Sequence, residues 1–189
     1  MTLQDRLLSR RDNAIKDTEV PKYVGRLKRF LGHEPLAKAQ ADLDKDLMHH
    51  GHCYRYWAQQ RHPWLFALRL YHRITNKDVH VPTECPMTIR EMAGDAMKIS
   101  SLHHCMPDEV KTKYRQDLLA GQHNDFLFEI QTAWEYYLDG YDIQWYSPGH
   151  EKCPEFRVQG SGLDFDVECR RFSQDVSNRV KTGAMTDTC

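Results

Sequence analysis

Residues 154–170 read Pro-Glu-Phe-Arg-Val-Gln-Gly-Ser-Gly-Leu-Asp-Phe-Asp-Val-Glu-Cys-Arg, and the side chains alternate on both sides of Gly160-Ser161-Gly162. In an extended chain Phe156 and Val158 fall on one face and Glu155, Arg157 and Gln159 on the other. Beyond the glycines, Phe165, Val167 and Cys169 likewise oppose Asp164, Asp166, Glu168 and Arg170. Two such runs joined by a glycine-rich turn predict a β-hairpin. The pattern also selects its register. A four-residue connection, Gly160 to Leu163, sets Phe156 against Val167 and Val158 against Phe165, whereas a three-residue loop puts Asp166 opposite Phe156 and a carboxylate on the apolar face. The first register is expected, and it gathers Glu155, Glu168 and Arg170 on one polar surface.

Upstream lies a long amphipathic helix. Phe126, Leu127, Ile130, Ala133, Trp134, Tyr137 and Leu138 form a continuous apolar arc, with Asn124 or Asp125 suited to cap it and Gly140 to end it. Glu129 falls at the margin of that arc, where a carboxylate is half shielded and still reaches a groove. A first strand, Ile143 to Tyr146, follows, and Pro148 and Gly149 turn the chain.

From Leu3 to about Asp78 the chain reads as helices. Leu7, Leu8, Ala14 and Ile15 mark the first, and Val24, Leu27, Phe30 and Leu31 the second, separated at Pro21. A third runs from Pro35 through Leu36, Ala39, Leu43 and Leu47 to Gly51, and a buried one begins near Pro63 and covers Trp64 to Ile74. Thr75 to Pro86 is a connection with room for a short strand at Val79 to Val81. Helices from Thr88 towards His103, and from Pro107 to Gly121, complete the series. The expected organisation is a helical N-terminal region, residues 1–106, followed by a mixed α/β core, residues 107–189.

A formal charge of −1 over 189 residues means that any contact with nucleic acid must come from local patches. The basic run from Arg6 to Arg29 reads as a solvated helix face. No stretch approaches the length of a membrane span and no signal core opens the chain, so a cytoplasmic location is expected, with no membrane partner. The six cysteines lack pairing rhythm and read as free thiols in a reducing compartment.

Two carboxylates on neighbouring strands repel unless a cation lies between them, and a hard divalent ion with oxygen ligands suits them. Mg²⁺, or Mn²⁺, is the expected cofactor. The order of elements, with Pro154-Glu155-Phe156 opening one strand and Val167-Glu168-Cys169-Arg170 in the next, resembles the PD-(D/E)XK nuclease superfamily over residues 124–172. That resemblance implies a restriction-endonuclease-like core of a helix and a short mixed sheet. It implies Glu129, Glu155, Glu168 and Arg170 as catalytic residues, with Glu155, Glu168 and Cys169 as the metal positions. The implied activity is metal-dependent hydrolysis of phosphodiesters in DNA. The alternative is a catalytically inactive module of the same fold that binds nucleic acid or a protein partner.

Three departures from the family pattern stand in the sequence. Glu155 replaces the commoner Asp. Arg170 replaces the lysine, and a guanidinium stays protonated, so it neutralises charge without acting as a base. A displaced lysine, Lys152 or Lys181, is the candidate substitute. Only Ser173 to Cys189 follow the motif strand, so completion of the core by a further C-terminal segment, N-terminal elements or a second chain, as in a homodimer, is expected.

The clusters His49, His50, His52, Cys53 and His103, His104, Cys105 lack the spacing of a zinc site. His103 and His104 read as the last turn of a helix, where a positive imidazole suits the dipole. Trp57, Trp64, Trp134 and Trp145 read as core.

Overall fold

The computed structural model describes residues 15–50, 52–77, 85–147 and 154–170. Within them the fold is mixed α+β, with seven helices and one three-stranded antiparallel sheet. The helices are α1 (Val20–Leu31), α2 (His33–His49), α3 (His52–Arg61), α4 (Pro63–Thr75), α5 (Met87–Leu102), α6 (Asp108–Ala120) and α7 (His123–Leu138). The strands are β1 (Asp142–Trp145), β2 (Phe156–Gly160) and β3 (Leu163–Val167). The expected first helix around Leu7, the strand at Val79 to Val81, and Lys152 and Lys181 lie outside the described residues.

Apolar residues at helical spacing drive the packing. Val20, Val24, Leu27 and Leu31 of α1 meet Ile89, Met92, Ala93, Ala96 and Ile99 of α5 within one buried cluster, which continues through Phe126, Ile130 and Ala133 of α7 to Ile143, Phe156 and Val158 of the sheet. One hydrophobic core thus runs from Ile15 to Val158. Helix α6 ends where Gly121 takes φ 77°, letting the Gln122 N–H return to the Asp117 carbonyl at 2.8 Å.

The hairpin has the expected register: Phe156 pairs with Val167, Arg157 with Asp166 and Val158 with Phe165. Ser161 and Gly162 form its tip, both at positive φ (50° and 80°), the backbone of a tight two-residue turn whose twist suits the flanking strands. β2 is central and β3 is the edge; Phe156 and Val158 are fully buried, while Phe165 stays 36% exposed and meets Tyr136 at its rim. Short connections allow only antiparallel neighbours, so among the described residues the sheet is antiparallel throughout, where the family resemblance implies a mixed one.

Some local expectations need correcting. Helix α7 starts at His123, with Gln122 rather than Asn124 or Asp125 at its N-terminal boundary and no side-chain capping bond, because the chain leaves the Gly121 turn already aimed along the helix. β3 ends at Val167, short of Arg171. Trp64, Trp134 and Trp145 are buried, but Trp57 on α3 is 48% exposed. The His103 imidazole is pushed below its usual range, first by burial and then by Lys111 and Arg115, so it does not serve as a cation at the end of α5.

Candidate functional site

Glu129 is the one buried charged residue among those described, 9% exposed on the inner side of α7. A carboxylate there needs a donor, and Tyr114 of α6 supplies it: its hydroxyl donates to Glu129 Oε2 at 2.6 Å. Tyr114 shares the buried face of α6 with Val110 and Leu118, one turn away on either side, which points its ring into the core. Trp145 at the end of β1 donates its indole N–H to the same hydroxyl at 2.9 Å. Trp145, Tyr114 and Glu129 therefore form a buried chain of hydrogen bonds across β1, α6 and α7.

Burial raises the Glu129 carboxyl above its usual range. The Tyr114 hydrogen bond and the Lys113 charge oppose that rise, while the charges of Glu155 and Asp125 add to it. Burial, followed by the neighbouring Glu129 carboxylate, holds Tyr114 firmly protonated. Glu129 is thus a carboxyl with an elevated proton affinity, one oxygen engaged by a neutral donor, and a second carboxylate near enough to repel it.

That second carboxylate belongs to Glu155. Its backbone N–H bonds to the Val167 carbonyl at 3.0 Å, just past the last strand pair, and its Oε2 accepts the Cys169 N–H at 2.6 Å. The Cys169 thiol is pushed up to about 11 by burial, against a hydrogen bond from Thr132 and with help from Glu155 and Glu129. At neutral pH it is a protonated thiol packed against the core, so any part it takes in holding a hard cation falls to its backbone.

Glu168 and Arg170 go elsewhere. Arg170 Nε and Nη2 both donate to Glu168 Oε1, at 2.8 and 2.6 Å, in an exposed pair. Of the three residues expected on one polar surface, Glu155 engages the Cys169 amide and Glu168 engages Arg170. Glu155 sits at the end of strand pairing, where its side chain folds onto the Cys169 amide. The structure joins Glu155 to the Cys169 amide, with Glu129 near enough to act electrostatically on both, and leaves Glu168 and Arg170 exposed. Further along the hairpin, Arg157 clasps Asp164 with two hydrogen bonds and the Tyr146 hydroxyl donates to Asp166 at 2.6 Å, so both carboxylates of β3 are engaged within the sheet's wet face.

Among the described residues no three His, Cys, Asp or Glu side chains converge as a ready metal cage. Mg²⁺ rarely needs one: it keeps several waters and binds through one or two carboxylates together with substrate phosphate. Glu129 and Glu155 offer two oxygen-donor groups whose mutual repulsion a cation relieves, so the donor set fits such an ion. A cavity of about 680 Å³ bounded by Met87, Arg90, Asp95, Gln131 and Trp134 lies apart from these acids. Three of its charges are already paired, Arg90 with Asp17 and Lys98 with Asp95, which leaves it less suited to chemistry than the acidic pair.

Sequence reasoning missed Tyr114, Trp145 and Lys113. The available signal was Tyr114 itself, a polar-tipped ring on the apolar face of a helix, which requires a buried partner. Family models, curated proteins and solved structures were all compared with this chain, and none matches it.

Proposed function

We propose that this protein is a Mg²⁺- or Mn²⁺-dependent phosphodiester hydrolase acting on DNA, centred on Glu129 and Glu155. The observation that carries the reading is the placement of a buried carboxyl of raised proton affinity beside a second carboxylate, the two delivered by α7 and by the mouth of β2. Glu155 and Glu129 would hold the ion. When bound, it would polarise a phosphoryl oxygen and acidify a coordinated water.

The chain's own residues supply the rest. Glu129, once it held the ion, would stay ionised and orient the coordinated water, whose proton would pass to solvent. Tyr114, held protonated, fixes the carboxyl in place. As water oxygen bonds to phosphorus, the bond from phosphorus to the leaving oxygen breaks. Arg170, which cannot act as a base, offers its charge at the rim for the developing negative charge, with Glu168 orienting it.

The exposed Glu168–Arg170 pair also favours a second reading, a nuclease-like module without catalysis that binds nucleic acid or a protein partner, since in it the motif acid is occupied by its own cation. The distinguishing experiment is cleavage of a mixed DNA panel with Mg²⁺ or Mn²⁺, comparing the wild type, Glu129→Gln and an EDTA blank. Cutting that needs the ion and is lost in the variant supports the hydrolase. A wild type that binds DNA and never cuts it supports the module.

A further inference from the structure

Helix α3 reads His-Cys-Tyr-Arg-Tyr-Trp-Ala-Gln-Gln-Arg, with two arginines and no acid. It follows an exposed histidine, His50, and from there planar groups contact one another in succession, tilted at interplanar angles of 43° and 38°. The His50 ring lies 4.5 Å from Tyr54, Tyr54 lies 5.3 Å from Trp57, and the Arg61 guanidinium lies 5.0 Å over the Trp57 ring. Trp57 is 48% exposed and Tyr56, elsewhere on the same helix, 71%. Among the described side chains of this helix, Ala58 is buried in the core and Tyr54 is partly packed against it, while Tyr56 and Trp57 are left exposed. Asp46, the acid at this edge, is engaged by the Tyr54 hydroxyl at 3.2 Å.

We infer that this ladder is a binding surface for single-stranded nucleic acid, with Trp57 as its central stacking platform. The inference deepens the nucleic-acid reading above and rests on it for the class of partner. Aromatic surface left exposed beside arginines, at Tyr56 and the 48% exposed Trp57, is matched by a base that is not already stacked in a duplex, since every base offers a π face. Arg61 is poised over the platform and Arg55 lies on the same helix, so positive charge flanks the rings where a phosphate backbone would pass. Helix α3 is about 15 Å long, enough for about two or three successive bases.

Because Trp64, Trp134 and Trp145 are buried, quenching of intrinsic fluorescence by a bound base reports on Trp57. The experiment titrates the full chain in EDTA, which suppresses hydrolysis, with a ten-nucleotide oligothymidine and with a duplex of equal length. Labelled-oligonucleotide anisotropy is read in parallel for the wild type, Trp57→Phe and Trp57→Ala. Quenching by the single strand, tighter binding to it than to the duplex, and an affinity loss of roughly fivefold or more in Trp57→Ala that Trp57→Phe largely restores are expected. Absence of binding, equal affinities for wild type and Trp57→Ala, or a Trp57 signal that changes with protein concentration alone, marking self-association, would overturn it. Binding in EDTA with no cleavage in Mg²⁺ would count against the hydrolase and leave this surface standing.

Discussion

The hydroxyl of Tyr114 donates to Oε2 of Glu129 at 2.6 Å while accepting the Trp145 indole N–H, so the acid on α7 is placed by a ring on α6 that is itself fixed from the sheet. Tyr114→Phe removes the donor and leaves a buried carboxylate without that partner. It should destabilise the protein by about 2 kcal/mol, or roughly 4–8 °C in Tm for a chain of this length. Differential scanning calorimetry at pH 7 checks this; an unchanged Tm would mean that Glu129 finds another donor.

Glu129 also predicts a pH dependence. Its folded pKa lies above the unfolded value, so the native state holds the proton over a range where the unfolded chain has released it. Stability therefore falls as pH rises from the unfolded pKa through the raised folded one, and the penalty is constant above it. Glu129→Gln keeps an acceptor for Tyr114 and abolishes the titration. In EDTA, urea midpoints of variant and wild type should converge near pH 4, and the variant should be the more stable at pH 8. A difference that does not vary with pH would refute the burial argument.

Gly121 is a geometric constraint on how α3 meets α6. Its φ is 77°, and a Cβ there would stand 2.6 Å from the Arg61 carbonyl oxygen and 2.7 Å from Arg61 Cγ. Gly121→Ala adds left-handed strain of ~1–2 kcal/mol to a backbone clash of similar size. A loss of about 3 kcal/mol in chemical denaturation is expected, with the Trp57 fluorescence perturbed because Arg61 carries the platform's cation.

Much of the architecture was legible from side-chain period. Phe156, Val158, Phe165 and Val167 admit one hairpin register, and Pro63, Pro107 and Gly121 mark helix ends through backbone constraints that need no tertiary information. Helix α3 was not legible because, among its described side chains, Ala58 alone is fully buried and Tyr54 only partly packed, so it carries no apolar stripe, and its tryptophan was assigned to the core on residue type alone. The site was half legible. Alternation placed Glu155 and Glu168 on the same face, but alternation does not govern a side chain beyond the last strand pair, where the Cys169 amide redirects Glu155. Nor does sequence spacing reveal that Tyr114, fifteen residues from Glu129, closes the buried bond. Desolvation reversed the helix-dipole argument for His103, a term that depends on packing rather than on position in a helix.

The central claim is that Glu129 and Glu155 together hold a divalent cation, and Mn²⁺ binding tests it without knowledge of the substrate. Isothermal titration at pH 7.5 should show Mn²⁺ binding by the wild type that Glu155→Gln weakens by at least roughly tenfold and that Asp166→Asn, whose carboxylate is engaged by Tyr146, leaves unchanged. Identical Mn²⁺ isotherms for the wild type and Glu155→Gln would contradict the account.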